Sequence, residues 1–294
     1  MRLANTVTLL LTLSGCAAAP SAPAQAPASP QVPAPSPAAA LLSTPRARVS
    51  NFPAAERAFA GERLTGAMAL FDTKNAELLC SDPERCDRGY SPASTFKIVN
   101  TIIALETGVV SDAESVLPWD GKDYSVPEWN HDQTLRSAVQ VSCVPCFQRI
   151  ARTVGEARMQ TWVTRLGYGN GDISGAIDRF WLNGALRVSP AQQIDFLRRL
   201  DGAKLPIQER TLDVVRDVLT LDVTPEYVLR GKTGLGLPPE EPSEVGWFVG
   251  FVELGERRVF FATVIDGHPA DVDIKPVRRR VTERVLRELG DLPG

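Results

Sequence analysis

The spacing of apolar positions changes several times along the chain, and each change marks an element. Val7 to Leu13 is a mostly apolar run, interrupted only by Thr8 and Thr12 and too short to cross a bilayer as a stable helix. Residues 17 to about 45 are dominated by Ala, Pro and Ser, with almost no charge and no aromatic. Such a segment cannot bury enough surface to offset the entropy of ordering it, so an extended tether is predicted. Folded character begins near Phe52. Gly66 to Phe71 is a short run of strand type, and the following Asp72-Thr73-Lys74-Asn75 predicts a hairpin turn. From Ser94 the period becomes helical: Phe96, Val99, Ile102, Ile103 and Leu105 line one face, and Gly108 suits the stop. Helical signals dominate from about Asp132 to Leu221, including Cys146 to Val154 and Ala191 to Leu200. Within them Ser189-Pro190 reads as an N-cap with proline at the first helical position. Three strand-like runs follow, Tyr227 to Gly234, Glu244 to Leu254 and Arg257 to Asp266, then an amphipathic helix from about Lys275 to Leu289. There is no internal repeat. Strands and helices at both ends with a helical block between them predict an α+β sheet domain carrying a helical insertion.

Composition narrows the partners. A net charge of −3 argues against a nucleic-acid partner, which calls for a basic face. The only histidines, His131 and His268, are too far apart for His-x-His or His-x-x-x-His spacing, so no metal site is expected. The five cysteines are Cys16, Cys80, Cys86, Cys143 and Cys146, an odd count that makes sense if Cys16 has its own chemistry. Leu13-Ser14-Gly15-Cys16 resembles a bacterial lipobox, in which cleavage before the cysteine frees a thiol to carry diacylglycerol. The alternative is a plain signal peptide cut near Ala17 to Ala19. Either way the body is exported and disulfides are permitted. The reading is therefore a signal peptide over 1–15, a tether over 16–48 and a folded domain over 49–294. A periplasmic location with a lipid anchor in the outer membrane is expected, that anchor being the only membrane contact; oligomeric state stays open. Cys80 and Cys86, on a short loop after a strand, read as a structural disulfide. Cys143 and Cys146, one turn apart, read as free thiols or an intra-helical disulfide without a catalytic role.

The chemistry starts at Ser94-Thr95-Phe96-Lys97. A hydroxyl and an amine three apart at a helix start share one face within hydrogen-bond reach. The positive end of the helix and the apolar residues Phe96, Ile98 and Val99 both disfavour an ammonium, leaving a neutral amine beside a serine. Alone this is a weak signal. Lys232-Thr233-Gly234 strengthens it: with a period of two, Lys232 and Gly234 face one side of a strand, the lysine offering a cation to a carboxylate and the glycine leaving room for a substrate.

With Ser91-Pro92-Ala93-Ser94-Thr95-Phe96-Lys97-Ile98, the segments Ser142-Cys143-Val144, Tyr168-Gly169-Asn170, Asp172-Ile173-Ser174-Gly175, Phe180-Trp181-Leu182, Lys232-Thr233-Gly234 and Gly246-Trp247-Phe248-Val249-Gly250 stand in an order that resembles the class D, oxacillinase-type serine β-lactamases. The resemblance runs from about Phe52 to the C-terminus. It implies an antiparallel sheet flanked by helices, with an inserted helical subdomain, and hydrolysis of the β-lactam ring of penicillin-type antibiotics. Ser94 would be the acylated nucleophile. Lys97 would be its base, carrying CO2 as a carbamate (N6-carboxylysine) supplied by CO2 or bicarbonate, with no other cofactor. Ser142 would pass the proton to the lactam nitrogen, and Trp181 would donate its indole N–H to the carbamate. Backbone N–H groups of Ser94 and Leu235 would form the oxyanion hole. Lys232, Thr233 and Arg278 would hold the substrate carboxylate, with Arg279 or Arg280 as alternatives in that short segment. Val126, Trp129, Val144, Leu182 and Leu235 are candidates for the apolar wall, or for plain core. Leu235 stands where the family often has a larger aromatic, and Cys143 and Cys146 where it usually has other residues. A penicillin-binding sensor or a D,D-peptidase-like protein is the alternative function.

Overall fold

The computed structural model describes residues 52–236 and 243–294; the signal peptide, the tether and Cys16 lie outside them. In chain order the elements begin with α1 (Pro53–Gly61), β1 (Thr65–Asp72), β2 (Glu77–Cys80), α2 (Pro83–Asp87) and α3 (Lys97–Glu106). The middle contains β3 (Val116–Leu117), β4 (Gln133–Thr134), α4 (Leu135–Gln140), α5 (Val144–Val154), α6 (Glu156–Leu166), α7 (Pro190–Asp201) and α8 (Glu209–Val218). The chain closes with β5 (Thr220–Val223), β6 (Val228–Gly236), β7 (Val245–Leu254), β8 (Arg257–Gly267) and α9 (Ile274–Glu288). Six strands form one antiparallel sheet in the order β2-β1-β8-β7-β6-β5, while β3 and β4 pair separately.

The central strands read as nearly continuous apolar runs because both sheet faces are covered. Alternate residues go to opposite cores. Ala67, Ala69, Phe71, Trp247, Val249, Phe251, Phe260, Ala262 and Val264 pack toward the helical block. Met68, Leu70, Phe248, Val252, Val259, Phe261 and Ile265 pack under α1 and α9. The hairpin predicted after Phe71 joins β1 to β2 in register Asp72↔Glu77. Cys80, ending β2, bonds to Cys86, which lies in the short helix α2 rather than in a loop. Ser189 caps α7 with Pro190 behind it, as its sequence implies, completing a capping box with Gln192. In the block predicted to be mostly helical, Gly167 to Ser189 carries no α-helix.

Candidate active site

Ser94 sits one turn before the α-helix that was expected to begin there. Ala93–Phe96 is a 3-10 turn, closed by Thr95 N–H and Oγ1 both bonding the carbonyl of Pro92 at 3.1 and 2.7 Å, and the α-helix starts at Lys97. Side chains three apart eclipse in a 3-10 turn. That brings Lys97 Nζ to 2.8 Å from Ser94 Oγ. The turn is entered through Ala93 at φ +48°, left-handed backbone that costs a side-chain-bearing residue ~1–2 kcal/mol. Clamps on both sides impose it. Ala93 N–H donates to Trp181 O at 2.9 Å, Ser91 Oγ donates to the carbonyls of Trp181 and Leu182, and Trp247 Nε1 donates to Ser91 O at 2.9 Å. Trp247 belongs to Gly246-Trp247-Phe248-Val249-Gly250, so that motif acts by anchoring the nucleophile's segment to β7.

Lys97 is 1 % exposed. Burial, and then the nearby charge of Lys232, push its amine well below the usual lysine range, toward the neutral form. The surroundings explain the burial: Nζ lies 5.4 Å from the centroid of the Phe147 ring, a neighbour sequence reasoning did not identify. Trp181 stacks on Phe96 with ring centroids 5.5 Å apart, and Phe180 and Tyr168 close around Phe96. Among the described residues the amine bonds Ser94 alone, and the indole N–H of Trp181 makes no hydrogen bond.

The opposite wall comes from three distant segments. Lys232 on β6 donates to Ser142 Oγ at 3.1 Å and to Thr233 O at 3.0 Å. Burial, and then the charge of Arg278, lower its pKa to about 7. Arg278 on α9 donates to Gly234 O at 2.5 Å, and burial lowers its pKa to about 10. Among the described residues neither cation has a carboxylate partner, so the pair is open to an anion. The neighbouring arginines are engaged elsewhere, Arg279 with Glu283 and Arg280 with Glu62 at 2.7 Å. Ser142 links α4 to α5 at φ +56°, with its N–H on Val139 O at 3.2 Å. Cys143 and Cys146 form a disulfide across the start of α5, and the sulfur of Cys143 caps that helix.

One sequence reading changes, for Gly234, and one open alternative is decided, for Leu235. A Cβ on Gly234 would stand 3.1 Å from Pro92 O, Thr95 Cγ2 and Trp247 Cβ. The glycine therefore makes room for the nucleophile's turn, not for a substrate. Leu235 points to the other face of β6, against the core under α1 and α9, because neighbours on a strand alternate. Its side chain is not part of the site wall; only its backbone can serve there. Trp129 and Leu182 are half-buried against the core on the site's side, Trp129 Nε1 bonding Val141 O at 3.1 Å next to Ser142. Val126 and Val144 are also half-buried.

Sequence reasoning missed Gln193, fully buried on α7, whose Nε2 donates to Thr95 Oγ1 at 3.0 Å and braces the turn. No local signal marks a residue 98 positions from its partner. Tyr168-Gly169-Asn170 has a structural reason. Gly169 has φ +57°, and a Cβ there would meet Arg187 O at 2.1 Å. Asn170 Oδ1 accepts from Arg187 N and Asn170 Nδ2 donates to Ala185 O. These bonds cinch the segment that presents Trp181.

Comparison with known proteins agrees with this geometry. The family described as penicillin binding protein transpeptidase domain matches residues 66–287. The chain is 40% identical to β-lactamase OXA-10 of Pseudomonas aeruginosa over 80% of its length and 88% of the relative's. It is 37% identical to β-lactamase OXA-48 of Klebsiella pneumoniae over 80% and 87%. The crystal structure of a class D β-lactamase from Nostoc superposes with a TM-score of 0.77 at 40% identity, covering 83% of this chain and all of that one. One from Fusobacterium nucleatum subsp. polymorphum gives 0.78 at 31%, with the same coverage. With the nucleophile turn, the Lys-Thr-Gly strand and the Trp181 segment brought together on this fold, the chain belongs to the class D serine β-lactamases.

Proposed function

We propose that the protein hydrolyses the β-lactam ring of penicillin-type antibiotics through a Ser94 acyl-enzyme, and so confers resistance to them. The observation that carries this reading is a buried lysine held toward its neutral form 2.8 Å from a serine hydroxyl. The Ser94 proton passes to the Lys97 side chain as Oγ attacks the lactam carbonyl. Backbone N–H groups of Ser94 and Leu235 stabilise the oxyanion. When the carbon–nitrogen bond breaks, Ser142 gives its proton to the leaving nitrogen and is resupplied by Lys232, its hydrogen-bond donor. Lys232 and Arg278 hold the substrate carboxylate, with Thr233 beside them. Val126, Trp129, Val144 and Leu182 border the acyl side chain. The proton that Lys97 took from Ser94 makes good the one Lys232 gave up, so Lys97 is unprotonated again and activates the water that releases the product acid, the water's proton returning to Ser94 Oγ.

A carboxy group taken from CO2 fits Lys97: the amine is favoured neutral, as reaction with CO2 requires, and the unpartnered Trp181 indole is a donor for the resulting anion. Bound there, it would supply an anionic oxygen base in place of the amine, one that the Trp181 indole could orient. Upstream, Cys16 is proposed as the lipid attachment point that holds the enzyme at the periplasmic face of the outer membrane. Fractionation should find the exported protein with the membrane and the Cys16→Ala form soluble.

The deciding experiment mixes purified protein with a chromogenic cephalosporin. Sustained turnover beyond one equivalent, lost with covalent penicillin labelling in Ser94→Ala, is expected. A single stoichiometric burst would instead indicate a penicillin-binding sensor or peptidase-like protein.

A further inference from the structure

Cys143-Val144-Pro145-Cys146 places two cysteines with two residues between them at the start of an eleven-residue helix, directly after Ser142. Their sulfurs are bonded, with Cα atoms 5.4 Å apart. Cys143 is pinned at both ends. Its N–H donates to Ala138 O at 2.9 Å, and its sulfur both bonds Cys146 and accepts the Cys146 N–H at 3.3 Å. Ser142 thus spans two anchors, the last turn of α4 before it and the sulfur bridge after it, in a backbone conformation that side-chain-bearing residues avoid. That conformation aims its hydroxyl at Lys232. No step of the proposed reaction uses either sulfur, and the other disulfide ties β2 to α2 elsewhere.

We propose that the Cys143–Cys146 disulfide is an exchangeable staple that positions Ser142, so that acylation of Ser94 depends on the redox state of this pair. The inference rests on the proton-transfer role of Ser142 proposed above. Two features make the bridge exchangeable. A thiolate on Cys143 is stabilised by the positive end of α5 and by the Cys146 N–H, which makes Cys143 a good leaving group. Cys146, 7 % exposed, lines a small surface pocket of about 30 Å³ with Trp119, Trp129 and Arg149, while Cys143 is fully buried, so Cys146 is the more accessible sulfur of the pair. A thiolate of an external dithiol therefore attacks the sulfur of Cys146. The Cys143–Cys146 bond breaks, a mixed disulfide forms on Cys146, and Cys143 leaves as a thiolate that takes up a proton. The second thiol of the dithiol, after losing its proton, displaces Cys146, which is protonated in turn. Two electrons have passed from the dithiol, now a cyclic disulfide, to the cysteine pair. The loop is then closed only by hydrogen bonds, and Ser142 can leave its left-handed conformation.

Dithiothreitol is the probe. Folded enzyme is reduced, and its cysteines are identified by alkylation and peptide mass mapping of a parallel sample. Acylation by benzylpenicillin is timed on unalkylated protein by rapid-quench intact mass. Reduction at Cys143 and Cys146 should slow acylation about tenfold to a hundredfold, the scale expected of a small misplacement of a reacting group. Release of preformed acyl-enzyme should stay unchanged, and reoxidation should restore the rate. Cys143→Ala/Cys146→Ala should be equally slow and indifferent to dithiothreitol, whereas Cys80→Ser/Cys86→Ser should keep the full response. A pair that dithiothreitol leaves oxidised, or a reduced enzyme that acylates at the oxidised rate, overturns the proposal. Ser142→Ala acylating at the wild-type rate, or oxidised enzyme taking no benzylpenicillin, overturns the reading beneath it.

Discussion

Three basic side chains lie in sequence through the site, and each lowers the pKa of the next. Arg278, with its pKa near 10, keeps its charge at neutral pH; that charge, after burial itself, brings Lys232 to about 7; Lys232 in turn depresses Lys97 further. Positive charge is therefore concentrated where a carboxylate can dock and removed where a base is needed. Losing a hydrogen bond to a charged group costs about 1.5–3 kcal/mol, so Arg278→Ala should lower kcat/KM for benzylpenicillin by about one to two decades. Arg279→Ala and Arg280→Ala, already committed to Glu283 and Glu62, should change it little. Steady-state kinetics on the three variants checks this, and the reverse ranking would move the anchor one or two residues along α9. Trp181→Ala removes the indole that stacks on Phe96 and that is proposed as the donor to a carbamate on Lys97. With 13C-bicarbonate, the wild-type enzyme should show a carbamate resonance that this variant lacks, and mass spectrometry should find acyl-enzyme accumulating. A variant that keeps both the resonance and full turnover would mean that Trp181 only packs against Phe96.

Segments that look irregular carry much of the positioning. Residues 167–189 contain no α-helix, yet they hold Trp181, Leu182 and the carbonyls that fix Ser91 and Ala93. Gly169 is their hinge point. In Gly169→Ala the left-handed backbone alone costs ~1–2 kcal/mol, and a Cβ 2.1 Å from Arg187 O must displace main chain as well. The variant should melt several degrees lower, and acylation should slow as the Ala93 and Ser91 clamps loosen. Thermal unfolding alongside single-turnover labelling tests this; an unchanged Tm would show that the segment can shift freely. Local pattern made part of this visible. The Ser94–Lys97 spacing, the Lys232-Thr233-Gly234 strand, the Ser189 cap and the three late strands could all be read because their causes lie within a few residues. Phe147 beneath Lys97, Gln193 behind Thr95 and the outward turn of Leu235 could not. Each depends on which face meets which partner after segments tens to more than a hundred residues apart have packed. The purpose of Gly234 was misread for the same reason: a glycine shows that something comes close, not what.

The whole fold brings Ser94, Ser142, Lys232 and Arg278 together from the turn before α3, the α4–α5 link, β6 and α9. Lys97 and Lys232 are buried at that meeting point, and burying Lys232 has a stability cost that depends on pH. Lys232 is 4 % exposed, with a folded pKa of about 7 against about 10.4 for an unfolded lysine. Below pH 7 both states carry the proton, and the folded state bears the full penalty of a buried, unpaired charge. From pH 7 to pH 10 the unfolded state binds more proton than the folded one, so this contribution shifts toward folding as pH rises. At 1.36 kcal/mol per pKa unit, a lowering of this size is worth on the order of several kcal/mol. Lys232→Met removes the titration while keeping an unbranched apolar stem. At pH 6 the variant should be more stable than wild type, and the advantage should shrink toward zero or reverse by pH 10. Meanwhile turnover should fall at every pH, because the donor to Ser142 and half of the carboxylate anchor are gone. Denaturant unfolding of both proteins at pH 6, 8 and 10 gives the comparison directly. A stability difference independent of pH would mean that Lys232 titrates alike in the folded and unfolded states, and that a counter-charge compensates it in the folded enzyme.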